Sequence, residues 1–291
     1  MVSRLLDAVD RYPAITYFGL TLALSWGVWL PLLSAVDGPM GRIAAIPGAF
    51  GPLAAAAVVI RLRGESVRDW LASTLDWRRS PRWYAAALAV PIGVSVAMGA
   101  VMIALTGGVD ESRVAPALGG FAINVVFATL LGGGQEEFGW RGFALPHLQA
   151  RYSALSASVV VGAVWALWHA PMFAFGVYDM SPAGYAAFVV VASVLFTWLY
   201  NSSRGCVPAA VLMHGTLNAS VNVPLQVVGG PSALPVPFSA LLVGGFGLLA
   251  LVLVGSYGPE SLASDVGEPP AWTRDRANRE STVDTTAVSE A

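Results

Sequence analysis

The sequence predicts an all-α protein that crosses a membrane as a polytopic helical bundle. Hydrophobic residues make up 56% of the 291 residues and charged residues only 12%, whereas a soluble domain usually carries about 25% charged residues. The apolar residues occur in long runs, each near the roughly 20 residues that a helix needs to cross a bilayer. Helices are expected because lipid offers backbone groups no hydrogen-bond partner.

Eight apolar segments are predicted to span the membrane, and aromatic residues near several of their ends are typical of the lipid–water interface. The segments lie at about 13–33, 43–60, 83–106, 117–135, 155–176, 183–200, 206–225 and 235–256.

The arginine distribution predicts an orientation. All 16 basic side chains are arginines, and 14 of them fall on the cytoplasmic side if both ends of the bundle face the cytoplasm, leaving only Arg42 and Arg113 outside. This bias follows the positive-inside rule. We therefore expect an N-in and C-in topology, with Glu136 near the cytoplasmic end of the fourth helix. Residues 142–154 are then a short cytoplasmic connection that leaves His147 exposed.

Three parts of the chain differ in composition. Residues 1–116 hold the first three helices and a basic cytoplasmic loop at 61–82, and residues 117–256 hold the rest of the membrane core and the last helix. Residues 257–291 are acidic and rich in Ser and Thr, and we expect a disordered cytoplasmic tail there because the segment lacks an apolar face to bury.

The composition also excludes several classes of protein. The single cysteine, Cys206, permits neither an intrachain disulfide nor a thiolate zinc cluster. The arginines are scattered among loops, so no basic stripe indicates nucleic-acid binding. The first apolar run is longer than the core of a removable signal peptide.

Two adjacent glutamates close the fourth apolar segment. Glu137 and Arg141 are four residues apart, so on a helix they share a face and form an ion pair that neutralises two charges near the bilayer. Glu136 lies about 100° around the helix from Glu137 and does not share that partner. Its carboxylate is thereby free to act as a base.

Two later segments each carry one histidine. His169 lies among apolar residues one turn after Trp165, and Pro171 interrupts helical hydrogen bonding close to it. His214 and Asn218 are four residues apart and project from one face, where they can hydrogen-bond an oxyanion or simply bridge two helices. Each group alone has a structural explanation. Together, ionisable groups on three membrane helices indicate an active site.

The predicted helix ends place these groups at different depths. His169 lies about 21 Å along the fifth helix, at 1.5 Å per residue, whereas Glu136 lies near the end of the fourth. An active site requires the depths to agree, so either the fifth helix begins outside the membrane or the predicted ends are wrong.

These residues resemble the CPBP family, which comprises type II CAAX prenyl proteases and Abi-type, bacteriocin-processing membrane proteases. The family carries Glu-Glu-x-x-x-Arg, then an aromatic-x-x-x-His, then His-x-x-x-Asn or Asp. The second motif commonly begins with Phe, so the tryptophan here is a mild departure. The three motifs occur in order within about 118–225, as Glu136, Glu137 and Arg141, then Trp165 and His169, then His214 and Asn218.

The resemblance implies a membrane-embedded endopeptidase whose cavity opens towards the cytoplasm. By analogy with the family, Glu136 and His169 would activate a water to attack the scissile carbonyl. His214 and Asn218 would stabilise the oxyanion. The neighbouring ion pair would hold the first glutamate in place, and Trp165 would wall the site.

No metal cofactor is favoured, because the His-Glu-x-x-His signature of soluble metalloproteases is absent. In that case Glu136 must activate the water as a general base. Zinc is the alternative: Glu136, His169 and His214, together with Asn218, would then hold the ion and leave one position open for the water.

The expected partners are the lipid bilayer and a hydrophobic or lipid-modified peptide or protein, with prenylated CAAX proteins suggested by analogy. The absence of lysine, with abundant Ala, Gly, Val and Arg, is typical of a GC-rich bacterial genome, so we expect the bacterial plasma membrane. Two other classes stay open. One is a non-catalytic scaffold or immunity protein, and the other is a transporter, which also uses charges inside helices.

Overall fold

A computed structural model describes residues 2–36, 38 and 40–264. Within those residues all regular structure is helical, as predicted. The α-helices are α1 (Val2–Arg11), α2 (Pro13–Ser34), α3 (Met40–Ala44), α4 (Gly51–Leu62), α5 (Val67–Thr74), α6 (Pro81–Thr106), α7 (Glu111–Leu130), α8 (Glu137–Gly139), α9 (Leu145–Gln149), α10 (Ala154–Trp168), α11 (Ala170–Ala174), α12 (Pro182–Ser202), α13 (Val207–Ser220), α14 (Asn222–Val227) and α15 (Phe238–Tyr257).

Seven helical segments of the described chain are long and apolar enough to cross a membrane, which makes this an integral membrane protein. They are Pro13–Ser34, Met40–Leu62, Pro81–Thr106, Glu111–Gln149, Ala154–Ala174, Pro182–Ser202 and Phe238–Tyr257.

The prediction of an eighth long helix at 206–225 is wrong. The chain there forms two shorter helices, α13 and α14, which are separated by a turn at Val221. Pro224 has no backbone N–H to donate to the carbonyl of Ser220, so the regular helical ladder cannot continue through this point.

Side-chain caps and prolines define several helix starts. Pro13, Pro81 and Pro182 each occupy the first position of a long helix, where the missing N–H is not needed. Asp110 caps α7 by accepting hydrogen bonds from the Ser112 backbone and hydroxyl. Those hydrogen bonds, with one from Arg113, hold the pKa of the Asp110 carboxyl below its usual value. The turn before α7 is therefore acidic and well ordered.

Small residues let the helices approach closely. A Cβ added at Gly162 of α10 would lie 2.7 Å from the Cα of Val190 in α12, and one at Gly215 of α13 would lie 2.8 Å from the Cα of Thr129 in α7. Small residues at helix contacts are the usual means of packing within a membrane, where no hydrophobic effect drives helices together. Helix α13 thus packs directly on α7, and also contacts α6.

Residues 134–149 form a buried helical segment made of a 3₁₀ turn, α8, a π-helical stretch (Trp140–Ala144) and α9. Residues 142–148 of the expected connection are buried. His147, expected to be exposed, is buried as well. Its Nε2 lies 2.6 Å from Nη1 of Arg63, and its Nδ1 lies 2.8 Å from the carbonyl of Phe143.

The first residues of the expected tail contact the bundle. The carbonyls of Pro259 and Glu260 accept hydrogen bonds from the first turn of α10, and the carbonyl of Ser261 accepts one from Asn201. Leu262 is fully buried. The described part of this segment, up to residue 264, is thus folded onto the helices, and residues 265–291 lie outside the described residues.

The close contact of α7 with α13 predicts that Gly215→Ala destabilises the protein. The new methyl group would meet backbone atoms of Thr129, and overpacking of this kind destabilises by about 1–3 kcal/mol. The measurement is the thermal unfolding midpoint in detergent.

Gly244→Ala is the matched control, because no atom lies within 4 Å of a Cβ added at this α15 position. Replacing a glycine inside a helix should stabilise the control slightly. Equal midpoints for Gly215→Ala and the wild type would show that α7 and α13 do not pack as described.

Candidate active site

A cavity of about 720 Å³ lies among the helices. All four residues predicted to be catalytic line it: Glu136, His169, His214 and Asn218. Trp165, the predicted wall residue, lines it as well. The structure thus brings together residues from three separate parts of the chain.

The glycines before the acidic pair turn the chain after α7. After α7 ends, Gly133 adopts φ +137°, a conformation that favours glycine, and the chain turns into the 3₁₀ turn that carries Glu136. A Cβ at Gly134 would clash with the carbonyl of Thr129. Glu136 therefore lies at the beginning of the buried segment 134–149.

Two tryptophans hold the Glu136 carboxylate. Its Oε2 accepts hydrogen bonds from Nε1 of Trp165 at 2.9 Å and from Nε1 of Trp140 at 3.3 Å. Trp140 is one turn further along the chain, whereas Trp165 comes from α10. As predicted, Glu136 does not pair with Arg141, which binds Glu137. The other carboxylate oxygen of Glu136, Oε1, makes no hydrogen bond to the described residues, so Glu136 keeps one oxygen for a further partner.

Glu137 forms the predicted ion pair with Arg141, and both side chains are fully buried. Nη1 of Arg141 lies 3.0 and 2.9 Å from the two carboxylate oxygens, and Nη2 donates to Ser193 at 3.2 Å. The guanidinium also lies 4.4 Å from the ring centre of Phe196, a favourable cation–π contact.

His214 shares the Glu137 carboxylate, a contact that the sequence analysis did not foresee. Nδ1 of His214 lies 2.7 Å from Oε1 of Glu137. Because a carboxylate only accepts hydrogen bonds, Nδ1 carries a proton and the opposite nitrogen, Nε2, faces away from Glu137. A carboxylate partner of this kind fixes the orientation of an imidazole ring.

His169 is held by the backbone of its own helix end. Its Nδ1 donates to the carbonyl of Trp165 at 2.8 Å, so Nε2 is the acceptor of the neutral ring. The ring lies against Trp168 and two tyrosines, with centroid distances of 4.7 Å to Trp168, 5.8 Å to Tyr178 and 5.1 Å to Tyr185. His169 thus presents a basic nitrogen in aromatic surroundings.

His214 and Asn218 converge on the backbone of Gly133. A Cβ at Gly133 would clash with Nε2 of His214 and would lie 2.9 Å from Nδ2 of Asn218. Nδ2 also donates to the carbonyl of Gly132 at 2.9 Å, which leaves its second hydrogen for another acceptor. The i, i+4 spacing therefore directs an imidazole and an amide to one place, as predicted.

Sequence reasoning missed two groups of residues at the site. Ser193 and Phe196 of α12 contact Arg141 and complete its surroundings. Tyr178 and Tyr185 line the cavity, with their ring centroids 5.3 Å apart. Burial raises the pKa of Tyr178 to about 12, so its hydroxyl stays protonated at neutral pH. Neither group follows a spacing that marks it in the sequence, because the contacts join distant helices.

A metal site does not emerge from the arrangement of the donor side chains. In the part of the chain that the structure describes, no three His, Cys, Asp or Glu side chains are grouped so as to hold an ion. The alternative ligand set Glu136, His169 and His214 lines one cavity but does not form such a group. We therefore derive no chemical step through a metal.

The buried pair predicts a strong and non-additive effect on stability. Arg141→Met leaves the Glu137 carboxylate buried with one partner fewer, and breaking such a pair destabilises a protein by about 3–5 kcal/mol. The double variant Glu137→Gln/Arg141→Met should be less destabilised than the sum of the single variants, as measured by thermal unfolding in detergent.

The exposed pair of Arg113 with Asp110, 2.8 Å apart, provides the matched control. Arg113→Met should change the unfolding midpoint little, because solvent screens exposed ion pairs. Strict additivity of the Glu137 and Arg141 variants would contradict the direct contact.

Comparisons with known proteins agree with the motifs. Residues 118–220 match the family model described as "Type II CAAX prenyl endopeptidase Rce1-like". The chain is also 30% identical over 114 residues to "CAAX prenyl protease 2" of Methanococcus maripaludis, an alignment that covers 34% of this chain and 42% of that protein. The chain thus spans less than half the length of this curated relative. Residues 118–220, which contain all the candidate catalytic residues, are thus similar to Rce1-like type II CAAX prenyl endopeptidases.

Proposed function

We propose that this protein is an intramembrane endopeptidase that hydrolyses a peptide bond of a membrane-associated or prenylated, CAAX-type substrate. The observation that carries the proposal is the common cavity. A carboxylate, an acceptor imidazole and a converging imidazole–amide pair line one space of about 720 Å³. That volume is within the range of small-molecule sites and is large enough for a short peptide segment.

Glu136 and His169 are the groups suited to activate water. Oε1 of Glu136 and Nε2 of His169 both accept hydrogen bonds, so a water between them is oriented with an oxygen lone pair free for attack. The water oxygen bonds to the scissile carbonyl carbon while its proton passes to Glu136. Glu136 then returns that proton to the departing amine as the carbon–nitrogen bond breaks. No other reactant is required.

His214 and Asn218 are the groups suited to stabilise the oxyanion. With Nδ1 committed to Glu137, His214 donates from Nε2 only when the ring carries both protons. The Glu137 carboxylate fixes the ring through Nδ1, so Nε2 is the nitrogen that faces away from Glu137. The second hydrogen of the Asn218 amide supplies another donor. Preorganised donors of this kind are usually the largest single contribution to such catalysis.

The proposed location is the plasma membrane of a bacterium, with an N-in, C-in topology. The arginine distribution supports this orientation if α13 and α14 together cross the membrane as the eighth segment. A non-catalytic scaffold and a transporter are the competing functions, and a cleavage assay separates both from the protease.

The first test compares Glu136→Gln with wild type on a panel of hydrophobic and S-farnesylated reporter peptides, using detergent-purified protein. Loss of the base should lower kcat by at least about 10²-fold. Glu111→Gln is the matched control, because Glu111 is an exposed glutamate at the start of α7, and it should cleave like wild type. Added chelator, followed by zinc, determines metal dependence.

Equal turnover by wild type and Glu136→Gln would remove this carboxylate from the mechanism. Turnover by neither protein, with peptide binding intact, would favour the scaffold, and ion- or substrate-driven flux in vesicles would favour the transporter.

A second test addresses the oxyanion donors. Asn218→Leu keeps the side-chain volume and removes the amide, and loss of one such donor in other proteases lowers kcat by about 10²–10³-fold. We expect kcat to fall by that order with a much smaller change in KM. A variant that changes KM alone would assign Asn218 to substrate binding instead.

A further inference from the structure

A row of carboxamides leads away from the proposed oxyanion site. Asn218, Asn222 and Gln226 follow one another at four-residue intervals along α13 and α14, and all three line the cavity. Residues four apart on a helix lie on one face. The catalytic steps above use only the first of these amides, so Asn222 and Gln226 have no assigned role.

The break between the two helices does not interrupt this face. Val221 keeps right-handed helical angles, φ −65° and ψ −23°, and its N–H bonds the carbonyl of Leu217 at 3.2 Å. Both α13 and α14 pack against the same two helices, α6 and α7. The three amides therefore run in one line along a single wall of the cavity.

Each amide retains hydrogen-bonding capacity. Nδ2 of Asn218 donates to the carbonyl of Gly132, and Nδ2 of Asn222 donates to the carbonyl of Asn218 at 2.7 Å. Both keep a free carboxamide oxygen and a second N–H, and Gln226 is exposed where it meets the cavity.

The spacing of the row matches an extended peptide. Four helical residues advance by about 6 Å, and two residues of an extended chain advance by about 6.6–6.8 Å. Each amide thus meets every second residue of an extended segment, and the flexible side chains absorb the small difference. A carboxamide offers one donor and one acceptor group, which is the same pair that each peptide unit presents.

We infer that Asn222 and Gln226 bind the main chain of an extended peptide and lead it towards the bond that lies at His214 and Asn218. The inference rests on the proposed function, because an endopeptidase would bind a peptide substrate in this cavity. Because the amides contact the backbone, the segment of substrate that they hold is selected by its extended conformation rather than by its side chains. The row accordingly suits substrates whose sequence varies in this segment.

The test is an N-methyl scan measured by binding rather than by cleavage. A fluorescein-labelled ten-residue peptide with one S-farnesyl cysteine is titrated by fluorescence anisotropy against full-length Glu136→Gln in detergent, which avoids turnover. Single N-methyl groups, moved along the peptide, remove one backbone N–H at a time. The expected result is a Kd that rises about 3- to 10-fold at alternate positions, the range for one net hydrogen bond.

Variants of the row identify which amide is responsible. Gln226→Met, in the Glu136→Gln background, should raise the Kd of the unmodified peptide and remove the effect of one N-methyl position. Gln226→Asn, which keeps an amide, should restore part of that effect. Asn222→Leu should likewise remove the effect of one N-methyl group, at a peptide position two residues away from the one that Gln226→Met affects. A merely structural role would raise Kd equally for every peptide of the scan.

The outcomes separate this inference from the proposed function. An alternating profile that changes at one position in each variant supports the inference, whether or not wild type cleaves the peptide. A flat profile, an identical profile in the variants, or no measurable binding overturns it. Cleavage by wild type, assayed separately on the unmodified peptide, tests only the protease.

Discussion

The buried carboxylate of Glu137 is the interaction on which the rest of the site depends. It accepts hydrogen bonds from Arg141 on its own helical segment and from His214 on α13, while Arg141 reaches Ser193 on α12. One charged group thus fixes three parts of the bundle relative to one another. Burying these charges is unfavourable unless each has its partners, so the arrangement specifies a geometry more than it adds stability.

The two adjacent glutamates differ because their surroundings differ. Glu137 is saturated by a guanidinium and an imidazole, whereas Glu136 is held through one oxygen by two neutral indole groups. Both oxygens of the first carboxylate are therefore occupied by hydrogen-bond donors. The second keeps a free oxygen towards the cavity. This division gives a physical reason for two carboxylates side by side, one positioning and one reactive in the proposed mechanism.

The close packing of backbone segments at three glycines allows the side chains of the site to meet. Gly133 and Gly134 turn the chain back into the bundle after α7, and Gly215 brings α13 against the same helix. A side chain at any of these positions would meet His214 or Thr129. The converging pair at Gly133 therefore depends on residues that carry no chemistry themselves, and the amide row beyond Asn218 continues along the wall that these contacts place.

The sequence by itself determined the helical membrane character, the ion pair of Glu137 with Arg141, and the common face of His214 and Asn218. Each depends on apolar content or on four-residue spacing, which are local properties of a helix. Only the tertiary structure decided that Glu137 binds His214 and that residues 142–148 are buried. Those outcomes depend on glycine-mediated contacts between helices far apart in the chain, and single-helix periodicity carries no information about such contacts.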